Sequence, residues 1–265
     1  MKFSIVTPNF NGARFLEATL ASIAAQRAAG LEVEHWIVDG GSTDGSQEII
    51  QRYLGPETFL LVERDHGPAD AINKGLRRVT GDFVAWLNAD DLYEPGTLAR
   101  AAAVLSAHPQ AALAFGHCRI VDESGEEIRR GITRLKECFF PLSSHFTFQC
   151  LNYISQPAMF FRRAALERTG LLRRDLTAAW DYEFILRLWR QGGAARIPGG
   201  PLSDFRWHPG SISGRTFAQQ FREEWHAAAD DAGRWSPQAV IHLGVRFGIV
   251  GIYSLMAACR RGTAS

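Results

Sequence analysis

The feature that most restricts this chain is a regular exchange, over its first hundred residues, between short apolar runs and amphipathic stretches. The runs are Phe3–Val6 (FSIV), His35–Asp39 (HWIVD), Phe59–Glu63 (FLLVE) and Phe83–Leu87 (FVAWL). Helical patterns follow them in turn over Arg14–Gln26, Ser46–Leu54, Ala69–Val79 and Pro95–Ala107, the last with proline in its first turn. Runs this short and this apolar are strands buried on both faces. Their alternation with helices predicts an α/β fold, a mostly parallel sheet with helices on both faces.

In such sheets ligands bind beyond the carboxyl ends of the strands. Polar residues gather there. The first strand ends in Thr7-Pro8-Asn9, the second in Asp39 before GGSTDGS, the third leads to Asp65, and the fourth stops at Asn88-Ala89-Asp90-Asp91. A single aspartate in a turn is ordinary turn chemistry. Four strands delivering polar groups to one edge point to a site.

Composition narrows the class. The chain has 265 residues, 46% hydrophobic and 22% charged, with a net charge of +1. That is a globular chain with a real core, without the basic excess of a nucleic-acid binder. Cys118, Cys138, Cys150 and Cys259 form no CxxC pair and no zinc-finger spacing with histidine. They are expected as free thiols. The N-terminus, MKFSIVTPNF, lacks a signal peptide's apolar core, so a cytoplasmic location is expected. A GxGxxG after the first strand and a GxxxxGK[ST] motif are both absent, so dinucleotide and P-loop chemistry are not indicated.

From Ala111 to about Arg134 the pattern is more antiparallel, ALAFG and then CRIVDESGEEI, with a turn at Glu123–Gly125. Pro141–Leu151 reads as irregular. QPAMFF is a strand leading into a helix over Arg163–Thr169. A further helix covers Trp180–Gln191, closed by Gly192-Gly193, and Ser203–His208 is a last strand.

Seven segments in order resemble glycosyltransferase family 2 of the GT-A fold, of the bacterial polysaccharide type. They are SIVTPNFNGARFLEATLASI, WIVDGGSTDGSQEII, RDHGPADAINKGL, GDFVAWLNADDLYEPGTL, SQPAMFFRR, WDYEFILRL and WHPGSIS. The resemblance covers roughly the first 215 residues. It implies a GT-A domain over 1–215, with a nucleotide-binding half (1–110) and an acceptor-binding half (111–215), followed by a helical appendage over 216–265.

The resemblance also implies roles. Asp39 would accept a hydrogen bond from uracil or thymine; the alternative is a turn residue. Pro8 and Asp65 would face the nucleotide, and Asp44 would cap the second helix. Lys74 would either approach the diphosphate or stay solvated. NADD stands at the family's Asp-x-Asp motif, where carboxylates and phosphate oxygens share Mn²⁺ or Mg²⁺. Asp90 is the expected ligand, and Asp91 either a second, water-mediated ligand or a helix cap. Asn88 replaces the first acid of the motif; it keeps a hydrogen bond to ribose but supplies no charge. Asp181, at a helix start, is the expected general base, with Glu183 as runner-up unless it pairs with Arg187. His208 is either a metal or diphosphate ligand or a turn residue. Ser211, Ser213 and Arg215 could reach phosphate, and Phe146, Phe148, Trp180 and Trp207 either stack on sugars or fill the core.

The implied activity is transfer, with inversion, of a sugar from a UDP- or dTDP-linked donor to a saccharide or lipid-linked acceptor in cell-surface polysaccharide synthesis, with no nucleic acid involved. A non-catalytic sugar-nucleotide-binding scaffold and a sugar nucleotidyltransferase are the alternatives. Ala239–Cys259 is apolar for about a membrane span, but His242 and Arg246 interrupt it. Such a helix packs on the domain or lies peripherally in the membrane interface.

Overall fold

The computed structural model describes residues 1–27, 30–211, 214 and 216–248. Its elements are β1 (Lys2–Asn9), α1 (Ala13–Gln26), β2 (Glu32–Asp39), α2 (Ser46–Gln51), β3 (Thr58–Val62), α3 (Pro68–Leu76), β4 (Phe83–Trp86), β5 (Leu92–Tyr93) and α4 (Thr97–Ala107). They continue with β6 (Leu113–Phe115), β7 (Cys118–Val121), α5 (Arg130–Cys138), α6 (His145–Cys150), β8 (Met159–Arg162), α7 (Arg163–Thr169), α8 (Trp180–Trp189), β9 (Ala194–Arg196), β10 (Ser203–Arg206) and α9 (Phe217–Ala232). Residues 237–248 are also helical.

The main sheet has seven strands in the order β3-β2-β1-β4-β8-β6-β9. β3, β2, β1 and β4 are mutually parallel, as the alternation predicted. β8 runs antiparallel to both β4 and β6, and β9 is parallel to β6. A small second sheet places β10 between β5 and β7. β4 shows why its run has no polar alternation. Phe83, Ala85 and Leu87 pack with Leu98 and Ala101 of α4, while Val84 and Trp86 pack with Ile72 of α3 and Phe184 of α8. Both faces of the strand are covered. Gly75 on α3 lies so close to Val6 of β1 that any side chain there would collide with it.

The turn expected near Gly125 brings Glu127 back to Val121 in an antiparallel bridge, while β6 and β7 belong to different sheets. Two local expectations change. The stretch over 141–151 contains α6, whose start is capped by the Ser144 hydroxyl accepting the Thr147 N–H at 3.1 Å. Pro95 lies outside α4, because β5 pairs with β10 and Gly96, at φ 75°, turns the chain before the helix begins.

Residues 216–232, expected as an appendage, are packed into the body. Ala227 and Ala228 of α9 belong to the same apolar cluster as Trp86, Phe184 and Leu188. The first half of the chain and the segment leading to α8 are joined by Asn73 of α3. Its amide donates to the Leu172 carbonyl at 2.8 Å and accepts the Leu172 N–H at 2.9 Å, all buried. Asn73→Ala leaves both backbone groups unpaired. We expect it to lower unfolding free energy by about 2–4 kcal/mol, read from urea unfolding.

Candidate active site

A cleft of about 650 Å³ opens over the carboxyl ends of β1 and β4, a size in the usual range for small-molecule sites, roughly 300–1,000 Å³. Pro8, Asp65, Asn88, Asp90, Asp181 and His208 all line it. Two of the expected site residues, Asp39 and Asp91, do not.

At one end Pro8, Phe10 and Asp65 form the wall. Asp65 is fixed by accepting the Gly67 N–H at 2.9 Å. Gly40 keeps this corner open: a Cβ there would come within 2.5 Å of the Asp65 carboxylate and 3.1 Å of the Phe10 ring. Asp39 sits beneath, fully buried. It accepts the Gly41 and Ser42 N–H groups at 3.0 and 2.8 Å, the Ser42 hydroxyl at 2.7 Å and the Asn9 amide at 2.6 Å. Burial alone would raise its pKa, but these donors, Ser42 first, hold the carboxyl below the usual carboxylate range. In this arrangement Asp39 presents Asn9 to the cleft rather than its own oxygens. Asp44, two residues ahead of the start of α2, accepts N–H groups from both Ser46 and Ala13, tying the first turns of α2 and α1 together.

Lys74 neither faces the cleft nor stays in solvent. It is 9% exposed and donates to the Arg64 carbonyl at 2.5 Å, beside Glu63 at 3.0 Å.

The middle of the cleft is the turn after β4. Asp91 is 0% exposed. Its carboxyl accepts the Arg206 backbone N–H at 2.9 Å and the Asn88 amide at 3.1 Å, and its carbonyl accepts the Thr19 hydroxyl at 2.8 Å. Burial, then the Asp90 charge beside it, push its pKa well above the usual carboxylate range. Asp91 therefore holds the turn from below; it does not line the cleft and does not cap α4. Asp90 remains in the cleft, where its Oδ2 lies 3.1 Å from His208 Nε2. The Arg206 guanidinium, folded over the Phe15 ring, donates to the Asp90 carbonyl at 3.0 Å and the Asp122 carbonyl at 2.9 Å. Ser211 spends its hydroxyl on the His208 carbonyl at 2.7 Å, while Ser213 and Arg215 lie outside the described residues.

At the far end stand Asp181, Trp180, Lys136, Asn152 and Gln220. Asp181 Oδ1 accepts the Tyr182 N–H at 2.8 Å. Burial first, then the carboxylate of Glu224 on α9, raise its pKa to about 6, against the pull of the Tyr182 N–H and Lys136. Glu224, 3% exposed, accepts the Asn152 and Gln220 amides at 3.0 and 3.1 Å. Glu183 is instead committed to Arg187, at 2.7 and 2.8 Å, away from the cleft. Of the aromatic candidates, Trp180 lines the cleft and Phe148 is core. Phe146 is exposed, and Trp207 lies under Arg129 at 4.0 Å.

Sequence reasoning missed Asn9, Lys136, Asn152, Arg206, Gln220 and Glu224. Asn9 carried a usable signal, since it ends a buried strand beside Pro8. The others come from segments far apart in sequence and have none. Asp91→Ala strands the Arg206 N–H and the Asn88 amide in a buried turn. We expect a loss of about 2–4 kcal/mol in guanidinium unfolding, well above that of Asp90→Ala.

Comparison with known proteins bears on this geometry. The family model for glycosyl transferase family 2 matches residues 4–170. The PGL/p-HBAD biosynthesis glycosyltransferase of Mycobacterium bovis is 34% identical over 186 residues, covering 68% of this chain and 67% of its own length. Among solved structures, S. aureus TarS 1-349 in complex with UDP-GlcNAc has a TM-score of 0.67 at 21% identity, over 87% of this chain and 67% of that one. The mannosyltransferase PcManGT from Pyrobaculum calidifontis, in complex with GDP-Man and Mn²⁺, has a TM-score of 0.63 at 20% identity, over 99% of this chain and 80% of that one. The likeness to these two structures is one of fold.

Proposed function

Because the chain belongs to glycosyl transferase family 2, we propose that it is an inverting, metal-assisted transferase. It moves a sugar from a UDP- or dTDP-linked donor to a hydroxyl of a saccharide or lipid-linked acceptor, in the assembly of cell-surface glycans. One observation carries this reading. A single cleft holds a half-buried carboxylate–imidazole pair, Asp90 and His208, and a separate carboxyl, Asp181, whose pKa is raised to about 6. Groups with separated environments and shifted pKa values mark acid–base chemistry.

Asp90 and His208 suit a divalent ion of the Mn²⁺ or Mg²⁺ kind: one hard carboxylate oxygen and one neutral imidazole nitrogen. Among the described residues there is no group of three or more His, Cys, Asp or Glu that could hold a metal. Other positions around such an ion would be left to diphosphate oxygens and water, the usual partners of Mg²⁺. When bound, it would offset the charge that develops on the leaving diphosphate. Pro8, Phe10 and Asp65 hold the nucleoside, with Asp39 fixing Asn9 beneath it. Asn88, its amide donated to Asp91, keeps its oxygen for a ribose hydroxyl. Asp181 takes the proton from the acceptor hydroxyl as that oxygen attacks the anomeric carbon, and a single displacement there inverts the centre. The complexes of the two structural neighbours, with UDP-GlcNAc and with GDP-Man and Mn²⁺, support a nucleotide diphosphate sugar as donor.

The acceptor's lipid linkage is supported by the C-terminal surface. No helix among the described residues is long and apolar enough to cross a membrane. Yet Val240, Ile241 and Phe247 are 59%, 46% and 66% exposed along the helix over 237–248, and Trp235 just before it is 87% exposed. From Arg234 to Ser265 the chain carries arginines and no aspartate or glutamate. Apolar side chains beside cations fit an anionic lipid surface. We expect the protein to sediment with phosphatidylglycerol-containing vesicles but not with phosphatidylcholine alone, and Trp235→Ala with Phe247→Ala to weaken that binding.

Nucleotide binding is tested by thermal shift with UDP, dTDP and GDP, each with and without Mn²⁺. A ligand at 100 times its Kd stabilises by about 2.7 kcal/mol. We expect a Mn²⁺-dependent shift with UDP or dTDP that Asp90→Ala abolishes; no shift with any nucleotide contradicts the reading. For the base, Asp181→Asn should cut turnover by about 10²–10⁴-fold while leaving the nucleotide shift intact. The base works only when deprotonated, so kcat/KM should rise with pH through about 6 and level above it.

A further inference from the structure

The helix that carries Asp181 begins without a cap of its own. Its N-cap position is Ala179, which has no side-chain acceptor. The backbone just ahead of it is held from another helix. The carboxylate of Glu223, on α9, accepts the Thr177, Ala178 and Ala179 N–H groups at 3.1, 2.8 and 3.0 Å. Gln219, one turn earlier on α9, donates to the other carboxylate oxygen at 2.8 Å and steadies it. Glu223 is 8% exposed. Burial would raise its pKa, but these bonds keep the carboxyl below the usual range, so it meets the positive end of α8 as an anion. The next residue, Glu224, is held separately by Asn152 and Gln220. α9 is thus pinned to the cleft wall at two adjacent positions.

We propose that Glu223 is a positioning residue for the transfer reaction: from α9 it holds the three backbone N–H groups that lead into α8, and so fixes where Asp181 stands in the cleft. The inference rests on the reading of Asp181 as the base. α8 and α9 both lie beyond residue 170, where the family match ends. The segment that would orient the base therefore belongs to this chain's own C-terminal half.

The test compares the full-length protein with Glu223→Ala, Glu223→Gln and Asp181→Asn. Three quantities are read: hydrogen–deuterium exchange of residues 177–183, thermal shift with UDP or dTDP and Mn²⁺, and release of nucleotide diphosphate from a panel of UDP- and dTDP-sugars with water standing in for the acceptor. Glu223→Ala should speed exchange of the 177–179 amides at least about tenfold. It should lower kcat about 10- to 100-fold, the scale of a small misplacement of a catalytic group. The donor KM and the nucleotide shift should stay as in the parent. Glu223→Gln keeps an acceptor oxygen but loses the charge, and should fall between the two; it carries the test if the alanine variant does not fold. Parent-like exchange and kcat in both Glu223 variants, with turnover lost in Asp181→Asn, overturn the inference alone. Parent-like turnover in Asp181→Asn, or no release of nucleotide diphosphate by the parent from UDP- or dTDP-sugars, overturns the reading beneath it and the inference with it.

Discussion

The site depends on a carboxyl that never reaches it. Asp91 is buried under the turn that ends β4, and its bonds to the Arg206 N–H and the Asn88 amide decide how that turn lies. Two adjacent aspartates cannot both be exposed and both be tied down. Burying Asp91 leaves Asp90 as the one that faces the cleft. The same contact draws β10 against the turn. Arg206 and His208 are two apart in an extended segment, so they face the same way. Arg206 grips the backbone of the turn while His208 meets the Asp90 carboxylate. A second sheet of only three strands thereby completes a site that the main sheet begins.

The cleft divides its work along its length. The parallel strands supply the end at Pro8 and Asp65, which the proposed mechanism gives to the nucleoside. The turn after β4 supplies the centre, which it gives to the diphosphate. The helices of the second half supply Asp181, in surroundings that raise its pKa by burial and by Glu224. The proposed roles of Asp90 toward a cation and of Asp181 toward a proton thus fall in separate environments. α9 belongs to this arrangement, since Gln220 lines the cleft, Glu224 lies behind it, and Glu223 holds the start of α8.

Much of the first half was legible in the sequence. β1 to β4 stand out because strands buried on both faces leave continuous apolar runs, and the site lies where those runs end. α8 was legible too, down to its stop: Gly193, at φ 74°, donates its N–H to the Trp189 carbonyl at 2.8 Å. The order β8-β6-β9 was not, because strands of three or four residues carry too little periodicity and their partners are set by packing far along the chain. That Asp39 and Asp91 do not line the cleft was hidden in the sequence for one shared reason. A carboxylate at a strand end looks the same in sequence whether it faces a ligand or is consumed by donors from elsewhere. For Asp39 those donors are Ser42 and Asn9. For Asp91 the decisive one, Arg206, is 115 residues away. Glu223 and Glu224 sit in an amphipathic helix whose acidic residues read as a solvated face until α9 is seen packed on α8.

The central claim is a single displacement at the anomeric carbon, driven by Asp181 against a departing nucleotide diphosphate. Proton NMR of the slow hydrolysis of α-linked UDP- and dTDP-sugars in the presence of Mn²⁺ tests it most directly, with water in place of the acceptor. The account predicts that nucleotide diphosphate is released and that the free sugar appears first as the β-anomer, with the α-anomer growing in only by mutarotation. An α-anomer formed first contradicts it, because retention requires two displacements and a second nucleophile.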